Sequence, residues 1–116
     1  MITVEKLIEK LELEAVGGQK GITKEVKGAY IGDLLSWVMA HIGSGDAWIT
    51  IQTNINVIAV AALGEASCII VAEDAEIEES TKIKADEEGI PLLRSSLSAY
   101  ELAIQIYQCL EGLEKK

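Results

Sequence analysis

The chain has 116 residues, of which 49% are hydrophobic and 25% charged, and its formal net charge is −9. That length suits a single domain with a core of its own, and the apolar fraction argues against disorder. Ten basic residues without a basic run, set against nineteen acidic ones, exclude nucleic acid as a partner.

Thr3 is a favourable helix cap, and Val4, Leu7, Ile8 and Leu11 follow at the spacing of one buried helical face. Glu5, Lys6, Glu9 and Lys10 interrupt the apolar residues, which argues against a signal-peptide core. Leu13 to Val16 reads as a short strand ended by Gly17-Gly18, and Glu25 to Tyr30 as a second strand whose direction relative to the first is open. Asp33 after Gly32 is placed to cap a helix carrying Leu34, Leu35, Val38 and Ile42, which Gly43-Ser44-Gly45 stops.

The segment from Asp46 to Asp74 is the most informative. Ala47 to Ile51 and Ser67 to Ala72 are strands on either side of a helix, Ile55 to Leu63, which is the pattern of a parallel β-α-β crossover. Cys68 to Ala72 is apolar at every position, so both faces of that strand are covered, as in the middle of a layered sheet. The helix is apolar all round and needs cover all round, which points to a second copy packing on Ile55, Val57, Ile58, Ala61 and Ala62. A helix from Glu78 to Glu88, a strand from Pro91 to Arg94, and a final helix opened by the capping box Ser98-Ala99-Tyr100-Glu101 complete the chain. The expected fold is a layered α/β/α single domain over residues 1–116, with a mostly parallel central sheet.

In such sheets ligands sit outside the carboxyl ends of the strands. The elbow residues Thr53, Asn54 and Asn56, together with Ser95, Ser96 and Ser98, are the candidates there for a nucleotide or another phosphorylated metabolite. Chemistry has less to stand on. His41 is the sole histidine and suits the last turn of its helix, and no phosphate-loop or dinucleotide glycine pattern occurs. Eight carboxylates and two lysines between positions 73 and 88 carry six of the nine net negative charges, and they read as a solvated face. With no glycine in that run before Gly89, a calcium loop is excluded. Neither catalytic residues nor a metal or cofactor are expected. Cys68 and Cys109 lack metal or redox spacing and read as packed thiols, which suits the cytoplasm. The longest apolar run, Val57 to Leu63, falls far short of the ~20 residues of a membrane span.

Val26-Lys27-Gly28-Ala29-Tyr30 leading into Asp33-Leu34-Leu35, the strand-elbow-helix from Trp48 to Leu63, and Gly89-Ile90-Pro91-Leu92-Leu93 before Leu97-Ser98-Ala99-Tyr100 together resemble the DRTGG domain family. The resemblance implies a small α/β module similar to the N-terminal domain of HPr kinase/phosphorylase and to parts of some phosphotransacetylases and CBS-domain pyrophosphatases. It further implies a dimerising or regulatory role without catalytic residues. Where many members of that family carry Asp-Arg, this chain has Thr53-Asn54-Ile55-Asn56. Where they carry Thr-Gly-Gly, it has Ala72-Glu73-Asp74. A homodimeric, non-catalytic regulatory or scaffold module is therefore expected, with ligand sensing at the strand ends as the alternative and another protein as a further possible partner.

Overall fold

A computed structural model of the chain describes residues 1–114. Its centre is a five-stranded sheet in the order β1-β5-β4-β3-β2, formed by β1 (Glu14–Gly17), β2 (Gly28–Ile31), β3 (Asp46–Thr50), β4 (Cys68–Val71) and β5 (Leu92–Arg94). Strands β2 to β5 run parallel, and β1 lies antiparallel to β5 at the far edge. The α/β fold expected from the sequence is present. The two N-terminal strands, whose relative direction was open, never meet: they form opposite edges.

Alternation along the strands divides the core in two. Ala47, Ile49, Cys68, Ile70 and Leu93 face a layer made by α1 (Val4–Leu11) and α5 (Ala99–Glu111). Trp48, Ile69, Val71 and Leu92 face a second layer containing α2 (Leu35–His41), α3 (Asn56–Gly64) and α4 (Glu79–Glu88). Every strand residue of β4 is buried, as its continuous apolar run requires.

Helix starts follow the sequence where caps are local. The Thr3 hydroxyl accepts from the Lys6 N–H at 3.2 Å, and Ser98 and Glu101 form a complete capping box. The segment from Glu25 onward is shorter as a strand than expected because its first half pairs elsewhere. Val26 N–H donates to the Ile2 carbonyl at 2.8 Å, and Val4 N–H to that of Lys24 at 2.9 Å. Gly18 is required by its surroundings: its φ is +71°, and a Cβ there would lie 1.8 Å from the Ile90 carbonyl oxygen.

Helix α3 corrects one expectation. Val57, Ile58 and Ala61 are 0%, 1% and 1% exposed within the single chain, so they are closed to a second copy. The cover that the all-apolar helix needs comes from the sheet below it and from α2 and α4 on either side. Of the anticipated interface, only Ile55 and Ala62 remain exposed. No helix among the described residues is long and apolar enough to cross a membrane.

Candidate functional site

The carboxyl ends of the parallel strands are tied together by their own side chains. Asp33 does not cap α2, which starts two residues later behind Leu34. One oxygen of its carboxylate accepts instead from the Thr50 hydroxyl at 2.8 Å and from the Ile51 N–H at 2.9 Å. The Thr50 hydroxyl in turn accepts from the Gln52 N–H, while the Gln52 amide donates to the Asp33 carbonyl. Asn54 donates to the Gln52 side chain and accepts from the Asn56 N–H at 2.9 Å, which makes Asn54 the working cap of α3. The Thr53 carbonyl accepts from the buried Thr81 hydroxyl at 2.7 Å, fastening the elbow to α4.

After β4 the chain turns through two consecutive left-handed residues, Glu73 at φ +59° and Asp74 at φ +54°. Their N–H groups donate to the Leu97 and Ser95 carbonyls, both at 2.9 Å. They are therefore spent on the β5–α5 loop. The Ser95 hydroxyl accepts from the Leu97 N–H, the Ser98 hydroxyl is used in its capping box, and Ser96 is exposed.

Arg94 has a role that the sequence reading missed. Its guanidinium donates to the Asp74 carbonyl at 2.6 Å and through Nε to the Ala75 carbonyl at 3.1 Å, with Glu14 at 3.4 Å. It braces the left-handed turn. Only the positive φ values at non-glycine residues required such a brace, and they cannot be read from the residue types.

The six candidate residues do not gather round one hollow. Thr53 lines a hollow of about 760 Å³ with Arg94, Lys82 and the carboxylates of Glu14, Asp74, Glu76, Glu78 and Glu79, and none of the three serines lines it. The split follows from the layers, since Thr53 to Asn56 lead into α3 on one face of the sheet and Ser95 to Ser98 lead into α5 on the other. A rim with more carboxylates than cations repels a polyphosphate.

Elsewhere, chemistry-bearing side chains are engaged in packing. His41 Nδ1 lies 2.9 Å from the Trp37 carbonyl, which as an acceptor places the proton on that nitrogen, and the two rings stack at 4.1 Å. Both cysteines are free thiols. Burial pushes the Cys68 thiol up to about 12, and burial likewise raises that of Cys109. Among the described residues no group of three or more His, Cys, Asp or Glu side chains is placed to hold a metal ion.

Fold and strand ends together define a three-layered α/β module whose loops are cross-tied by hydrogen bonds. The DRTGG domain model matches residues 6–109, and the chain belongs to the DRTGG domain family. Among solved structures the chain is similar to the CBS and DRTGG domains of the regulatory region of Clostridium perfringens pyrophosphatase, crystallised in complex with the activator diadenosine tetraphosphate. The TM-score is 0.70 at 14% identity, over 98% of this chain and 50% of that one. The chain thus spans about half the length of that relative, and at this identity the likeness concerns the fold. No curated protein matches the chain by sequence.

Proposed function

We propose that the chain is a non-catalytic regulatory module of the cytoplasm that acts as a homodimer, with α5 as its contact surface. One observation carries this: α5 has a second apolar stripe facing away from the core. Tyr100, Ile104 and Tyr107, spaced i, i+4, i+7, are 74%, 39% and 60% exposed, and Leu113 beyond them is 59% exposed. They border a shallow hollow of about 490 Å³ with Ala103 and Gln108.

Charge favours this face over that of α3. The acidic segment from Glu73 to Glu88 forms α4 and the loop before it, in the layer that contains α3, so two copies meeting there would bring like charges together. Helix α5 lies on the opposite face and carries only Glu101 and Glu111. A symmetric contact buries eight of these side chains. At ~1–2 kcal/mol each that offsets the roughly 4–15 kcal/mol that association costs, and a surplus of about 8 kcal/mol, reached toward the favourable end of both ranges, corresponds to a micromolar dimer. Sedimentation equilibrium tests it: a dimer in the native chain and a folded monomer for Tyr107→Glu are expected, and a native monomer at 100 μM would overturn the reading.

Ligand sensing is the second reading, supported by the complex of the pyrophosphatase regulatory region with diadenosine tetraphosphate. The acidic rim around Thr53 opposes it for a free polyphosphate. A thermal-shift comparison of diadenosine tetraphosphate and ATP, each with and without Mg²⁺, decides it. Stabilisation by either supports sensing, and an unchanged midpoint in all four conditions counts against it.

A further inference from the structure

At the opposite, amino ends of the strands lies a second hollow of about 550 Å³, within the size range of small-molecule sites. Lys24, Lys27, Glu25 and Glu65 line it, and none of the four forms an ion pair within 4.0 Å among the described residues. Two cations and two unpaired carboxylates thus share one concavity without neutralising each other, beside a third carboxylate, Glu88, that is paired with Lys84 at 3.7 Å. Ser67 also lines it. That residue is 2% exposed, and its hydroxyl has no oxygen or nitrogen partner and only the weakly accepting Cys68 sulfur beside it, although buried hydroxyls are ordinarily satisfied. Ala61, Ala62 and Ala66 supply an apolar wall, and the first two lie at the carbonyl end of α3, where the helix dipole is negative.

We propose that this hollow binds a small zwitterion of the α-amino-acid class. Its carboxylate meets the Lys24 and Lys27 ammonium groups and gives the Ser67 hydroxyl the oxygen acceptor it lacks. Its ammonium turns to Glu25, Glu65 and the carbonyl end of α3. A phosphate dianion is disfavoured by those carboxylates and that helix end, and a simple cation by the two lysines, so a ligand carrying both charges satisfies what either alone leaves unmet. The proposal deepens the regulatory reading by giving the module an effector class. Binding itself does not require association, so the two fail separately.

The test titrates the intact chain, and separately its Tyr107→Glu variant, with each common amino acid, inorganic phosphate and AMP while amide chemical shifts are followed. Saturable shifts centred on Gly45, Ala62 and Ser67 with at least one amino acid are expected in both proteins. Ser67→Ala should weaken binding about tenfold, as the loss of one hydrogen bond to a charged group implies. It should leave the thermal midpoint of the free protein unchanged or raised, since only a weak sulfur contact is lost. Lys27→Met should weaken binding by a similar factor. The proposal is overturned by the absence of saturable shifts with any amino acid up to about 10 mM, or by phosphate or AMP binding there in place of amino acids. It is overturned equally if Ser67→Ala lowers the midpoint and leaves binding untouched, which would mark the hydroxyl as a structural group.

Discussion

Asp33 and Thr50, seventeen positions apart, are joined at 2.8 Å between carboxylate and hydroxyl, and that contact clamps the exit of β2 to the exit of β3. Because the same carboxylate oxygen also holds the Ile51 N–H, its loss frees two donors at once. Asp33→Ala is expected to destabilise the chain by about 1.5–3 kcal/mol, the scale of hydrogen bonds to a charged group. A urea-denaturation double-mutant cycle with Thr50→Val should show coupling, and additive effects would mean that the two act independently.

The left-handed pair Glu73 and Asp74 carries backbone cost that glycine would not. Glu73→Gly is expected to raise stability by about 1 kcal/mol. Asp74→Gly should gain less, because a short Asp side chain tolerates that conformation better. Thermal midpoints of the two variants check both the sign and the order. Destabilisation by Glu73→Gly would mean that its side chain contributes a contact outweighing the strain.

Arg94 holds two carbonyls of that turn with a planar fork, which an ammonium cannot reproduce. Arg94→Lys should therefore cost about 1–2 kcal/mol despite the retained charge. Faster amide exchange at Asp74 and Ala75 would locate the effect, and wild-type stability would contradict the bracing role.

Two substitutions to aspartate on opposite faces of the sheet should behave oppositely. Ile58 is 1% exposed, so Ile58→Asp buries a lone carboxylate and is expected to exceed about 4 kcal/mol, unfolding or aggregating the chain. Ile104→Asp lies on the outward stripe of α5 and should leave the fold intact while shifting association toward monomer. Circular dichroism together with sedimentation separates the cases.

Cys68 links stability to alkaline pH. Burial raises its thiol from 9.0 to about 12 in the folded chain, so the unfolded chain releases this proton first. The thiol's contribution is complete below about pH 9 and is lost as pH climbs toward 12, by up to ~1.4 kcal/mol per pH unit. Native Cys68 should also resist thiol reagents at neutral pH until the chain unfolds. Cys68→Ala is expected to flatten the decline above pH 9 in denaturation midpoints.

Elements whose signals are local were legible in the sequence. Thr3 and Ser98 cap where their own neighbours present free N–H groups, and the apolar run of β4 announces burial on both faces. What depended on distant partners was not legible. Asp33 has the composition of a cap but is captured by Thr50. The stretch at Lys24 to Val26 has strand chemistry but pairs with the start of α1. On sequence alone Ile58 calls for a second subunit, because nothing in a single apolar helix reveals that α2 and α4 flank it. The candidate site divided for a related reason, since Thr53 and Ser95 both follow strands, yet the helices they lead into take opposite faces.

The antiparallel pairing of β1 with β5 also sets a timetable. Glu14 and Arg94 face each other across that edge, eighty positions apart, so the first strand synthesised is the last to find its neighbour. At ~5–20 residues per second on the ribosome, β1 waits roughly 4–16 s for its partner. During that interval the parallel core from β2 to β4 can assemble without it, and closure of the sheet becomes a late, C-terminal event that truncation before Leu92 would prevent.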